Sequence, residues 1–194
     1  MSDFGAADQH GKLAAQVKKV SDKGLPPVHL WNPEFSGDID IRIARNGDWF
    51  YQESIFTRLK LVRLFSTVLR KDEDDYYLVT PVEKWRIKVD DAPFVITQID
   101  AETINGQACL IAETNTGERV SLDKDHPLWV EINDGNAEPS PYIRVRDRLD
   151  GLVARSVYYQ LVEHAEERLI DGKVCVGVES LGQFFSLGTL DEPL

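Results

Sequence analysis

Between Gly37 and Tyr51 apolar and polar residues alternate. Ile39, Ile41 and Ile43 are interleaved with Asp38, Asp40, Arg42 and Ala44; Asn46-Gly47 follows, then Asp48-Trp49-Phe50-Tyr51. Period-two alternation marks a half-buried strand. Asn-Gly between two such runs predicts a two-residue hairpin turn, because both central positions need positive φ. That register pairs Arg45 with Asp48, Ala44 with Trp49, Ile43 with Phe50 and Arg42 with Tyr51. It sends Ile41, Ile43 and Phe50 to the core. The opposite face then holds Asp38, Asp40, Arg42, Trp49 and Tyr51.

The rest of the pattern reads in the same way. Residues 1–9 are expected to form a frayed tail. Leu13, Val17 and Val20 predict a one-faced helix over 10–22, which Gly24 to Pro27 ends. A helix is predicted over 58–70, with Leu59, Val62, Phe65, Val68 and Leu69 inward. Asp72 to Asp75 is a solvated turn, strands follow at 76–80 and 85–89, and Ala92-Pro93 marks a break. A strand from Phe94 leads to hairpin turns at Asn105-Gly106 and Asn115-Thr116-Gly117. Strands at 128–132 and 142–146 flank a polar loop over 133–141. A helix over 150–168 and a strand over 174–178 complete the reading.

Residues 49–71 superpose without a gap on 142–164 when shifted by 93 positions. Trp49 meets Tyr142, Phe50 meets Ile143, Phe56 meets Leu149, and Leu64 and Phe65 meet Val157 and Tyr158. The pattern predicts an α+β protein of two small antiparallel-sheet-plus-helix domains related by an internal repeat. Residues 1–25 form the tail and short helix, 26–93 the first repeat domain and 94–194 the second.

Charge changes the picture mainly by exclusion. The 194 residues carry a net charge of −11. Residues 1–95 hold 14 Lys and Arg against 15 Asp and Glu, net −1, and residues 96–194 hold 8 against 18, net −10. So acidic a second half repels phosphate backbones and anionic lipid, which argues against nucleic-acid and membrane partners. Cys109 and Cys175 lie in apolar alternating runs and belong to no Cys-x-x-Cys pair, as expected of reduced core residues. With no signal-peptide pattern and no long apolar run, the expected location is the cytoplasm.

Candidate chemistry is concentrated on the first hairpin. A sheet face bearing Asp38, Asp40, Arg42 and Tyr51 suits a polar ligand, with charges to orient it and an aromatic ring to stack. Glu83 and Lys84 follow Thr80-Pro81 at a strand end, where ligand-contacting side chains often sit. Arg144, Arg146, Arg148 and Arg155 form an island of positive charge in the acidic half, fitted to an anionic ligand or to the acidic hairpin face. Asp38-x-Asp40 is a weak two-carboxylate metal pattern, and Asp123, Asp125 and His126 place carboxylates beside an imidazole. Gly177-Val-Glu-Ser180-Leu-Gly182 lacks the spacing of a serine nucleophile turn, and no phosphate-cradling glycine loop occurs. No catalytic residue, metal or cofactor is therefore assigned.

Several longer stretches carry a family resemblance. They are Gly37 to Tyr51, Leu61 to Leu69, Tyr77 to Lys84, Val89 to Phe94, Asp125 to Leu128, Pro141 to Arg146 and Val157 to Tyr159. Together they resemble a bacterial family of unknown function, numbered twelve eighty-five, over nearly the whole chain from about residue 26. The resemblance implies a two-part fold with repeated motifs and a suggested part in signal transduction, without an established activity. Ser180-Leu181-Gly182 departs from the family's Ser-Gly-Gly, which puts the backbone role of the middle glycine in question. The leading expectation is a non-enzymatic module that binds a small polar ligand or a protein partner between the halves. It would use Asp38, Asp40, Arg42, Tyr51, Glu83 and Lys84 from one half, and Arg144 and Arg146 from the other. The alternatives are a metal-assisted or hydrolase-like enzyme using Asp38, Asp40 and His126, and a scaffold that dimerises through a strand edge.

Overall fold

A computed structural model describes residues 6–21, 24–132 and 138–190, and within them the chain forms three α-helices, a short 3-10 helix (Val28–Leu30) and fifteen strands. It divides into two units, Met1–Asp90 and Asp91–Leu194. Among the described residues no helix is long and apolar enough to cross a membrane.

The first unit contains α1 (Ala6–Ser21), β1 (Phe35–Ile43), β2 (Trp49–Tyr51), β3 (Ser54–Ile55), α2 (Leu59–Ser66), β4 (Leu69–Asp72), β5 (Asp75–Val79) and β6 (Lys84–Val89). Its six strands lie in the order β3-β2-β1-β6-β5-β4. All neighbours are antiparallel except β1 and β6, which run parallel. The sheet is therefore mixed, not the purely antiparallel one expected.

The hairpin register differs from the expected one by a single residue. Ile43 pairs with Trp49, Arg42 with Phe50 and Ile41 with Tyr51. The loop is one residue longer, because the Gly47 N–H donates to the Ala44 carbonyl (2.8 Å) and the Ala44 N–H to the Asp48 carbonyl (2.9 Å). Of Asn46-Gly47 only Gly47 takes a positive φ, +87°, as in a three-residue loop with glycine in its left-handed position. A one-residue slip reverses every side chain on the partner strand. Trp49 is accordingly buried with Ile41 and Ile43, and Tyr51 shares that inward side. Phe50 joins Arg42 on the outer face, where the guanidinium lies 5.7 Å from its ring centroid. Trp49 stacks on Phe65 of α2 at 6.5 Å, while its indole N–H meets no acceptor among the described residues.

The helices also differ from expectation. α1 begins at Ala6, so part of the expected tail is helical, and it buries Leu13 and Val17. α2 stops at Ser66, and Leu69 opens strand β4. Val62 and Phe65 are buried as expected, whereas Leu59 is half exposed. A Ser21–Thr67 hydroxyl contact of 2.9 Å joins the ends of the two helices.

The second unit contains β7 (Phe94–Ile104), β8 (Gln107–Thr114), β9 (Arg119–Ser121), β10 (Leu128–Ile132), β11 (Pro139–Arg146), β12 (Leu149–Val153), α3 (Arg155–Glu163), β13 (Glu166–Ile170), β14 (Lys173–Ser180) and β15 (Gln183–Leu190). Most of the loop expected at 133–141 lies outside the described residues. The helix expected over 150–168 is instead strand, nine-residue helix and strand. Leu149, Gly151 and Val153 are buried alternately, and β12 pairs parallel with β7 at the centre of a sheet ordered β10-β11-β12-β7-β8-β9. Period-two burial against a non-local partner overrode local helix propensity there. Gly151 fits because a Cβ at that position would come within 2.8 Å of Ile96 Cδ1. β13, β14 and β15 form a separate three-stranded sheet. Cys109 and Cys175 are free and buried.

Both six-stranded sheets have the same strand order. Numbered along the chain within its unit, each runs third-second-first-sixth-fifth-fourth, with the first and sixth strands parallel. The 93-residue correspondence expected from sequence is not the one these sheets express. It lays β2, a second strand, on β11, a fifth, and places the buried Val62 on the exposed Arg155. The helix also falls between the third and fourth strands in one unit and after the sixth in the other.

The Ser180-Leu181-Gly182 turn has a defined structural role. Leu181 and Gly182 both adopt positive φ, +49° and +76°, as the two central residues of a tight hairpin turn require. Leu181 therefore holds the conformation a glycine would take, and its N–H donates to the Ala108 carbonyl at 2.8 Å. The fully buried Ser180 hydroxyl donates to the Leu122 carbonyl (2.7 Å) and accepts the Leu110 N–H (2.9 Å). These bonds fasten the three-stranded sheet to β8. Replacing Ser180 by Ala strands a buried donor and a buried acceptor, so the variant is expected to lose about 1–3 kcal/mol of stability, measured by denaturant unfolding.

Candidate functional site

The outer face of the first unit's sheet is a network of charge. Arg86 of β6 stands opposite Asp38 of β1, and its Nε donates to Asp38 Oδ1 at 2.6 Å while Nη1 reaches Asp75 at 3.5 Å. The hydrogen bond from Arg86 holds the Asp38 carboxyl below its ordinary value. The register between β1 and β6 is irregular beyond this point. Asp38 opposes Arg86 and Arg42 opposes Lys88, so four steps along β1 match two along β6. The surplus interrupts the regular ladder between the two strands, as a bulge does. A groove of about 540 Å³ lies there, and Asp38, Asp40, Asp74, Asp75, Arg86 and Lys88 supply its charged groups.

Within the groove the charges are unequally committed. Arg86 is shared between Asp38 and Asp75. Among the described residues Asp40, Asp74 and Lys88 form no salt bridge, which leaves two carboxylates and one ammonium open to solvent. Burial first, and then the charge of Asp40, raise the Tyr51 hydroxyl above its ordinary value, so Asp40 is close enough to Tyr51 to be felt electrostatically.

Of the eight residues read from sequence as a ligand site, the groove gathers Asp38 and Asp40. Arg42 donates through Nε to both carboxylate oxygens of Asp90, at 2.9 and 3.0 Å. Tyr51 lies against Phe56 on the inward side. Glu83 accepts the Trp85 indole N–H at 3.3 Å. Lys84 bonds Asp72 at 2.7 Å and sits 4.0 Å from the Tyr77 ring centroid. Arg144 and Arg146 belong to the second unit, where Asp150 and Glu118 respectively meet their charges. Their guanidinium groups also lie over Trp129 and Phe94. Among the described residues no group of three or more His, Cys, Asp and Glu is placed to hold a metal ion. His126 of the second unit is a loop anchor: its Nδ1 lies 3.0 Å from the Arg144 carbonyl, and Asp123 Oδ1 accepts the backbone N–H groups of Asp125 and His126 rather than the imidazole.

Sequence reasoning missed Arg86, Lys88, Asp74 and Asp75. For Arg86 and Lys88 the signal was the alternation of Lys84, Arg86 and Lys88 with Trp85, Ile87 and Val89. It identifies a polar strand face but not which strand lies beside it.

Asp72 beside the groove gives an acid-sensitive handle. Burial pushes its carboxyl up, but the hydrogen bonds from Lys84 and Arg70 outweigh burial and hold it below the ordinary value of 3.8. A depressed folded value stabilises the fold above the ordinary value, and the contribution is lost as pH falls through the folded one. Melting curves taken from neutral pH downward should therefore show wild type losing its advantage over Asp72→Asn below pH 3.8.

Comparisons with known proteins agree with this architecture. Residues 26–92 match the N-terminal domain, and residues 93–187 the C-terminal domain, of a family described as a domain of unknown function, DUF1285. A crystal structure of a DUF1285 family protein from Silicibacter pomeroyi is 41% identical with a TM-score of 0.82, covering 92% of this chain and 96% of that one. Another, from Shewanella baltica, is 29% identical with a TM-score of 0.51, covering 64% of this chain and 91% of that one. No curated protein matches the chain. With both family domains matched in order and a relative aligned over nearly its full length, the chain belongs to the two-domain DUF1285 family, whose function is unknown.

Proposed function

We propose that this protein is a non-enzymatic binding module for a small polar ligand, held by the first unit in the groove between β1 and β6. The observation that carries the reading is the irregular register between Asp38 and Arg42, which opens the sheet face where Asp40, Asp74 and Lys88 stand without salt bridges among the described residues. Two carboxylates and an ammonium suit a zwitterion: the carboxylates take its cationic end and Lys88 its anionic end. The Arg86 bonds to Asp38 and Asp75 hold the walls in place before a ligand arrives, which reduces the ordering cost of binding. A reversible binder of this kind fits the part in signal transduction that the family resemblance implies.

Free amino acids, compared with their amides and N-acetyl derivatives in a thermal-shift screen, test the reading. A ligand bound only by the folded state raises the melting temperature by mass action. The zwitterions should shift it, and removing either charge from the probe should abolish the shift. Asp40→Asn and Lys88→Ala should each weaken binding about tenfold or more. Replacing Arg119 of the second unit, whose guanidinium reaches Asp100 and Glu102, by Ala should leave it unchanged. Equal shifts from charged and blocked probes, or none from any, would overturn the proposal.

A further inference from the structure

The second unit contains a different kind of hollow. β7 and β8 form a long hairpin joined at Asn105-Gly106, with Ala101 opposite Leu110 and Thr103 opposite Ala108. Ala101 and Ala108 are exposed on one face of the hairpin. Their small side chains leave room for a pocket of about 500 Å³ that they help to line. Ile99 and Leu110 complete its floor, and Leu161 of α3 and Val178 of β14 form apolar walls. That volume falls within the ordinary range for small-molecule sites.

The walls are anchored independently of any ligand. The Ser180-Leu181 turn is bonded to β8 and to Leu122. At its start α3 is tied to β7 through the Ala154 N–H and the Ile96 carbonyl, 3.0 Å. The hollow is therefore preformed.

Its rim is polar and acidic. Gln160 and His164 come from the last turn and the cap of α3, Glu166 from β13 and Glu179 from β14. Arg168 is paired with Glu179 and lies 3.8 Å from Glu166. Its guanidinium lies 4.7 Å from the Phe184 ring centroid, outside the pocket lining. Two carboxylates against one guanidinium leave acidic groups in excess among these three side chains. The surrounding half of the chain, with 18 acidic and 8 basic residues, adds a field of the same sign.

From the apolar floor, the anchored walls and the acidic rim we infer that the pocket over Ala101 and Ala108 binds a small amphipathic monocation. The apolar body of the ligand fills the hollow, and its ammonium lies at the rim beside Glu166. The apolar part gains from leaving water, and the carboxylates discriminate against an anion of the same shape. This site is separate from the groove of the first unit and stands or falls without it.

The test uses the whole chain and three probes of one shape: 2-phenylethylammonium, 2-phenylethanol and 3-phenylpropanoate, titrated by calorimetry. The ammonium probe is expected to bind with a Kd below about 1 mM, the alcohol about tenfold more weakly, and the carboxylate not measurably. Ala108→Phe fills the hollow and should abolish ammonium binding while the melting temperature holds or rises. Ala101→Leu is the second block should the first variant fold poorly. Glu166→Gln should bring the ammonium probe down to the affinity of the alcohol. No binding by any probe, or binding that survives both blocking variants, overturns the site. Equal affinity for all three probes overturns the assignment of ligand class.

Discussion

Each six-stranded sheet is closed by one parallel pair, and the rest of the architecture depends on it. In the first unit β1 lies beside β6, and in the second β7 lies beside β12. Every other pair in these sheets joins strands consecutive in the chain, which local turns can register. The parallel pair alone brings together the first and last strands of the sheet. It bears the main loop-closure cost and forces two three-stranded meanders to share one core face. It also explains the two sites. The groove of the first unit exists because β1 has more residues than β6 can match between Asp38 and Arg42. In the second unit, β12 aligned on β7 brings the start of α3 to Ile96, and with it a wall of the apolar pocket.

A second constraint acts through a single turn. Gly47 supplies the one left-handed residue of a three-residue loop, and that choice sends Trp49 into the core and Phe50 to the surface. Had the loop been one residue shorter, the aromatic ring beside Arg42 would have been Tyr51. The outer face is instead an interlocked set of charges. Asp38 with Arg86, Arg42 with Asp90 and Asp72 with Lys84 neutralise one another. Exposed pairs of this kind add little stability each. Their consequence is selective: they use up most of the residues that look like ligand-binding groups in the sequence and leave Asp40, Asp74 and Lys88.

The two proposed sites separate by chemistry in a way that follows the charge of the units. The first unit, close to neutral overall, carries a mixed-charge groove open to solvent. The acidic second unit carries an apolar hollow with an acidic mouth. Ser180 links architecture to site in that unit, because its hydroxyl holds the turn that closes one side of the hollow. Leu181 holds a left-handed conformation that glycine adopts without strain, at a conformational cost of about 1–2 kcal/mol.

Much of this was legible in the chain. The alternation of Ile39, Ile41 and Ile43 determined a strand and its buried face. The 3.6-residue spacing of Val62 and Phe65 determined α2, Asn105-Gly106 determined the β7–β8 hairpin, and the buried cysteines followed from their apolar runs. These signals are local, and short-range physics suffices to read them. Tertiary structure alone decided the hairpin register, since two- and three-residue loops fit the same Asn-Gly. It also decided β12, because Leu149 to Val153 becomes a strand only with β7 beside it. Which charges remain for a ligand depended on non-local neighbours as well: Arg86 faces Asp38 only because β6 lies next to β1. The hollow over Ala101 and Ala108 was illegible for the same reason, since a pocket is defined by the elements that surround it and not by the residues of any one segment.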